Sequence, residues 1–226
     1  MANVNGNAYG LTTLCPLMNF DEYRRKHPRD ARHGLHDSPA TLLKDLLDDL
    51  PTDEDSPMAK VPETYLCRFF VLDDVVYEGG EARKEHLKSK YLVFTSNFHG
   101  ELEPYLAGMW EHAGEFVRSA FRYCVAFDTV HDSASFIEYI KRCQVETTFY
   151  FNGSTDEALA EQLKGLYLKQ ELSKFAADHQ GLPAAELQRA FVAFTERVKP
   201  FELRGPTWRP GASNLASAVV DNGGDA

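Results

Sequence analysis

Arg68 is the residue whose place is hardest to explain by packing alone. It interrupts an apolar run, Leu66-Cys67-Arg68-Phe69-Phe70, that reads as a strand. Strand alternation puts it on one face with Leu66 and Phe70. A guanidinium on an apolar face needs a partner, because an unpaired buried charge is costly. It is therefore expected either to anchor the carboxylate of a substrate or cofactor in a sheet-lined pocket, or to sit in an internal ion pair or snorkel from an edge strand. Asn97 and His99 close the following strand, just before Gly100. Strand ends collect functional residues, since the loops there vary on a rigid scaffold. Imidazole exchanges protons near neutral pH, which makes His99 a candidate general acid or base. The plainer reading is a turn histidine, with Asn97 making a turn hydrogen bond. Thr147, Thr148 and Tyr150 could add hydroxyls to the same pocket, or be ordinary strand formers.

The elements that must position these residues follow from hydrophobic period and punctuation. Tyr9–Leu17 reads as a first strand, closed by Pro16. Phe20–His36 is polar and basic and reads as loop, with His27, His33 and His36 not at zinc-binding spacing. Ser38-Pro39 opens a helix with the stripe Leu42, Leu43, Leu46, Leu47 and Leu50, stopped by Pro51. Thr64–Asp73 is apolar on both faces and is expected in the centre of its sheet. A charged connection, Val75–Ser89, carries Gly79-Gly80 and leads to a strand over Lys90–Phe98.

After Gly100 a helix carries Leu102, Tyr105, Leu106, Met109 and Trp110 at helical spacing. Ser119–Phe127 is expected as a strand, although Phe116–Phe121 could extend the helix. Asp132-Ser133 caps a helix with Phe136, Ile137, Ile140 and Cys143, and Val145–Phe151 reads as a last strand. Two C-terminal helices are expected. One opens at the capping box of Ser154 and Glu157 and stops near Gly181; the other opens at Pro183. A single α+β domain over residues 1–203 results, with a mobile tail over 204–226 in which Trp208 is a docking point.

Composition excludes several classes. The chain has 226 residues and a formal charge of −10, which argues against non-specific nucleic-acid binding and against adsorption to anionic membrane. No apolar run is long enough for a membrane span, and Met1–Asn7 lacks the apolar core of a signal peptide, so a cytoplasmic location is expected. The four cysteines, Cys15, Cys67, Cys124 and Cys143, form no C-x-x-C pair and read as buried free thiols. No glycine-rich nucleotide fingerprint, phosphate-binding loop, His-Glu-x-x-His motif or serine elbow occurs.

The element order is β-α-β-β-α-β over residues 9–127, then α-β, then α-α. The first six elements fit the ferredoxin-like pattern. With Arg68 in a strand and the phrase Phe94-Thr95-Ser96-Asn97-Phe98, the chain resembles the dimeric α+β barrel group. That group holds antibiotic-biosynthesis monooxygenases, chlorite-dismutase relatives and dye-decolourising peroxidases. The resemblance implies an oxidoreductase-like small-molecule enzyme, haem-dependent in one version and a cofactor-free monooxygenase or isomerase in another, and a homodimer. His112, on the helical stripe after Tyr105 and Met109, is then the candidate iron ligand. Arg118 and Arg122, at the start of the expected fourth strand, are candidates for the haem propionates. The competing expectation is a non-catalytic ligand-binding or accessory protein, since a fold of this kind guarantees no activity.

Overall fold

The computed structural model describes residues 3–28, 37–75 and 86–198. The chain divides into two compact units, Met1–Asp156 and Glu157–Ala226.

The first unit is α+β. Its open antiparallel sheet contains β1 (Val4–Asn5), β2 (Ala8–Pro16), β3 (Thr64–Leu72) and β4 (Tyr91–His99), in the order β1-β2-β4-β3. Its helices are α1 (Phe20–Lys26), α2 (Pro39–Asp48), α3 (Leu102–Phe121) and α4 (Ser133–Cys143). Alternation along the paired strands separates two faces. The inner face carries Leu11, Cys15, Leu92, Phe94 and Phe98, all buried with Val117 and Phe121 of α3 and Phe136 and Ile140 of α4. Its aromatic rings interlock: Phe69 stacks on Phe94 at 4.4 Å, and Phe98 stacks on Tyr105 at 3.7 Å. Such pairs add to the burial of their area.

The helix signals hold where a cap and a stripe coincide. The Ser38 hydroxyl accepts from the Thr41 amide, Pro39 is the first residue of α2, and Leu43 is fully buried. Asp132 caps α4 through a reciprocal bond with Ser135. Leu102 opens α3, whose Tyr105, Leu106 and Met109 are buried as expected.

Five expectations are corrected. The segment expected as loop contains α1, capped by Asn19, whose side chain accepts from the Glu22 amide. Its acidic first turn and basic last turn suit the helix dipole. Among the described residues, strand β3 is not central: it pairs only with β4 and forms the sheet edge. Its second apolar face is exposed, with Leu66 and Phe70 about half accessible. Ser119–Phe127 is not a strand. The helical period continues through Phe116, Val117, Ala120 and Phe121, all buried, and carries α3 to Phe121.

Val145–Phe151 is not a strand either. The edge of β2 that it needs is already occupied: Val4–Asn5 pair with Ala8–Tyr9, and Gly10 donates to the Asn3 carbonyl. Only Gln144 bridges, to Thr13, and the Val145 amide donates to Thr12. Further along, Cys124 bridges Leu17, and the Val125 amide donates to Pro16. Three short pieces thus satisfy the outer edge of β2 in place of one strand.

The second unit contains α5 (Leu159–Asp178) and α6 (Ala184–Val198), joined through Gly181 at φ +81°. Phe175 packs on Phe191 and Phe194, and Arg197 donates to Glu171 at 2.7 Å. Helix α5 does not start at the expected capping box. The Ser154 hydroxyl is taken by Asn152 Oδ1 at 2.9 Å, and the helix begins after Ala158 without a side-chain cap. The expected tail 204–226, His33 and His36 of the basic segment, and Gly79-Gly80 lie outside the described residues. No described helix is long and apolar enough to cross a membrane.

Candidate functional site

The outer face of the sheet carries the site. Register places Arg68 of β3 opposite Thr95 of β4, Leu66 opposite Asn97, Gly10 of β2 opposite Asn97 and Thr12 opposite Thr95. These residues line a cavity of about 130 Å3. Its fourth wall comes from residues 147–150, which run beside β2. Asn3 fixes that wall: its buried side-chain amide donates to the Gly10 carbonyl at 2.9 Å and to Thr147 Oγ1 at 3.1 Å. The Thr147 amide returns a bond to Asn3 Oδ1. The Tyr150 ring then lies over Gly10, where only a residue without Cβ leaves room.

The lining is polar for so small a space. Three threonines (Thr12, Thr95 and Thr147) and Asn97 offer hydroxyl and amide groups around one guanidinium. Arg68 is exposed and has no hydrogen bond or ion pair with any described residue. The expected internal ion pair is absent among the described residues. The fold also removes the need for one, because the outer face of an edge strand meets water. An arginine that projects over threonine hydroxyls can bind an oxyanion by bidentate, charge-assisted bonds.

His99 lies two residues beyond Asn97 on the same face of β4, but it does not line the cavity. Its Nδ1 is 2.9 Å from the Asp156 carbonyl. A carbonyl only accepts, so Nδ1 carries the proton and Nε2 of the neutral ring is left as the basic nitrogen. Asp156 also accepts from the Asn7 amide at 2.7 Å. The turn Gly6-Asn7 and the end of β4 are thereby tied to one residue.

The residues expected to hold haem lie away from the lining of this cavity. His112 is exposed on α3, next to a break in helical geometry at Ala113. It is not on the buried stripe: Ala113, Phe116 and Val117 continue that stripe instead. Arg118 and Arg122 belong to the end of helix α3, not to a strand. Arg118 lies over the Trp110 ring at 5.3 Å, and Arg122 approaches His27 Nδ1 at 3.4 Å. None of the three lines the Arg68 cavity. Among the described residues, no group of three His, Cys, Asp or Glu side chains could hold a metal ion.

Sequence reasoning missed Gly10 and Asn3, which shape the cavity. Their role depends on a contact to residues 147–150, more than 130 positions away, and no local pattern signals it. Thr95 and Thr12 were legible only as strand residues. Compared as a whole, the chain matches no protein-family model, no curated protein and no solved structure.

Proposed function

We propose that the outer sheet face binds a small carboxylate or similar oxyanion, and that the chain is a small-molecule enzyme acting on it. The observation that carries this reading is Arg68: a guanidinium without an ion pair among the described residues, at a cavity of about 130 Å3 lined by hydroxyls and Asn97. That volume is below the ~300–1,000 Å3 of drug-sized sites, so the ligand is a few heavy atoms, or the charged end of a longer molecule. One charge-assisted contact in a partly hydrated site supports a dissociation constant on the order of 1 mM. Titration calorimetry with formate, acetate and sulfate tests the reading. Saturable binding that falls about tenfold or more in Arg68→Ala supports it; equal heats from wild type and variant refute it.

In the cofactor-free oxidoreductase or isomerase version, His99 is the acid–base group, through Nε2. His99→Gln should then abolish turnover and leave ligand affinity intact. The fold reading that accompanies this proposal is a ferredoxin-like core of the dimeric α+β barrel type. It draws support from β4 lying between β2 and β3, with the place of a fourth strand beside β2 taken by short pieces.

A second reading is favoured by a different observation. Leu66 and Phe70 are exposed on the face that holds Arg68, and Phe149 and Phe151 are 82% and 70% accessible. Large exposed apolar side chains in one region mark interaction surfaces. In this reading the sheet face docks a second copy of the chain. Sedimentation of wild type and Phe70→Asp separates the two: a dimer that dissociates in the variant favours docking.

A further inference from the structure

The register of the sheet lays out its outer face in rows. Arg68, Thr95 and Thr12 stand side by side across β3, β4 and β2. One row further along β3 come Phe70, Val93 and Leu14, and the row after that is Leu72, Tyr91 and Pro16. Side chains two apart on a strand share a face, so the three rows point the same way. A row with one cation and two hydroxyls is thus followed by two rows without a charged side chain. Those two rows are no part of the core. The helices of the first unit bury their stripes against the opposite face, and none of the six residues belongs to the buried cluster there. Val93 is buried, Leu14, Leu72 and Tyr91 are half-buried, and Phe70 is exposed.

Arg68 is the only charged residue lining the cavity at the head of these rows. Its attraction for an anion grows in proportion to the anion's charge, whereas the cost of taking that anion out of water grows with the square of the charge. One guanidinium therefore suits one negative charge. The other polar groups of the lining can donate. Thr147 Oγ1 accepts from Asn3, which leaves its own proton to give, and Thr12, Thr95 and Asn97 add further donors. A carboxylate, which only accepts, matches such a set. The rest of the ligand has one apolar way out. On the Leu66 side the row carries Asn97, and the Tyr150 ring lies over Gly10. On the other side lies exposed Phe70 with the apolar rows beyond it.

We propose that the outer sheet face binds a monocarboxylate with an apolar chain. The carboxylate sits on Arg68 and Thr95, and the chain runs along the strands over Phe70, Val93 and Leu14. The proposal rests on the oxyanion reading of the Arg68 cavity and names the class of ligand. From the Arg68 row to the Leu72 row is four residues of strand, about 13 Å, the reach of a chain of roughly ten carbons. Such a chain covers apolar side chains that otherwise meet water, and this burial adds the affinity that a lone guanidinium lacks.

Titration calorimetry on the full chain compares acetate, butyrate, hexanoate and octanoate at one ionic strength. A fully buried methylene is worth about fourfold in affinity, and a chain with one side in water about twofold per carbon. Octanoate should therefore bind on the order of fiftyfold more tightly than acetate. Suberate, the same chain ending in a second carboxylate, should lose most of that gain. Octanol, without a carboxylate, should bind about tenfold more weakly than octanoate, and Arg68→Ala should weaken octanoate by a similar factor. Phe70→Ala should leave acetate unchanged and reduce the gain per carbon. Acetate that binds through Arg68 with octanoate no tighter overturns the proposal and leaves the oxyanion reading standing. No binding by any carboxylate overturns both. Octanol as tight as octanoate, or an undiminished gain per carbon in Phe70→Ala, also overturns the proposal. The wild-type series alone decides between a site for chain-bearing carboxylates and one for small anions.

Discussion

The Tyr150 ring rests on the backbone of Gly10 so closely that a Cβ at position 10 would stand 2.8 Å from two ring carbons. This contact holds residues 147–150 against β2 and closes the Arg68 cavity on that side. Gly10→Ala should therefore lower stability by about 1–3 kcal/mol, the usual cost of overpacking. Denaturant unfolding measures it. The double variant with Tyr150→Ala should recover part of the loss, because the clash disappears with the ring; a fully additive pair would show that the contact does not exist in solution.

Arg68→Ala should leave the unfolding midpoint nearly unchanged. The side chain is exposed and bonds to no described residue, and such surface substitutions stay within about 0.5 kcal/mol. Paired with the loss of anion binding, an unchanged midpoint separates a ligand anchor from a structural arginine. Destabilisation by several kcal/mol would instead reveal an ion pair.

Tyr105 is a buried hydroxyl with two partners. It lies 2.8 Å from Ser96 Oγ and 3.2 Å from Thr64 Oγ1, and it ties α3 to β4 and β3. Burial pushes its phenol up to about 12. Between pH 10 and 12 the unfolded chain loses this proton before the folded chain does. The folded state then binds more protons, so stability falls as pH rises through that window, by about 2 kcal/mol at pH 12. Tyr105→Phe should flatten this part of the stability–pH curve, at a cost of about 1–2 kcal/mol at neutral pH from the lost hydrogen bonds to Ser96 and Thr64. Unfolding curves at several alkaline pH values check both.

Phe98 sits between the Tyr105 ring at 3.7 Å and the Tyr9 ring at 5.1 Å, fully buried. Phe98→Ala should cost about 3–5 kcal/mol by cavity formation. It should also loosen the end of β4, which carries Asn97 and His99. Amide exchange at residues 97–99 reports that loosening.

Much of the architecture is local enough to read directly. The caps at Ser38 and Asp132 and the stripe of α2 come from spacings of three or four residues, and the structure has them. Where reading fails, a local preference has no partner to satisfy it. Val145–Phe151 has strand composition, but β1 and Asn3 already occupy the edge it would need. Thr64–Leu72 looks doubly buried, yet among the described residues nothing pairs beyond it, and Leu66 and Phe70 face out. His112 follows the helical count, but it is exposed, and Ala113, Phe116 and Val117 carry the buried stripe on.

Arg68 was singled out by sequence alone, because a guanidinium in an apolar run is improbable enough to require a reason. Its identity, its strand and its face were all set by residues within a few positions of it. Tertiary structure decided what stands around it. Thr95 and Asn97 come to it through the register of β4, Thr12 and Gly10 through β2, and Thr147 and Tyr150 through the Asn3 bonds. The cavity depends on contacts across more than a hundred residues, made through one buried amide, and no periodicity along the chain encodes such distances.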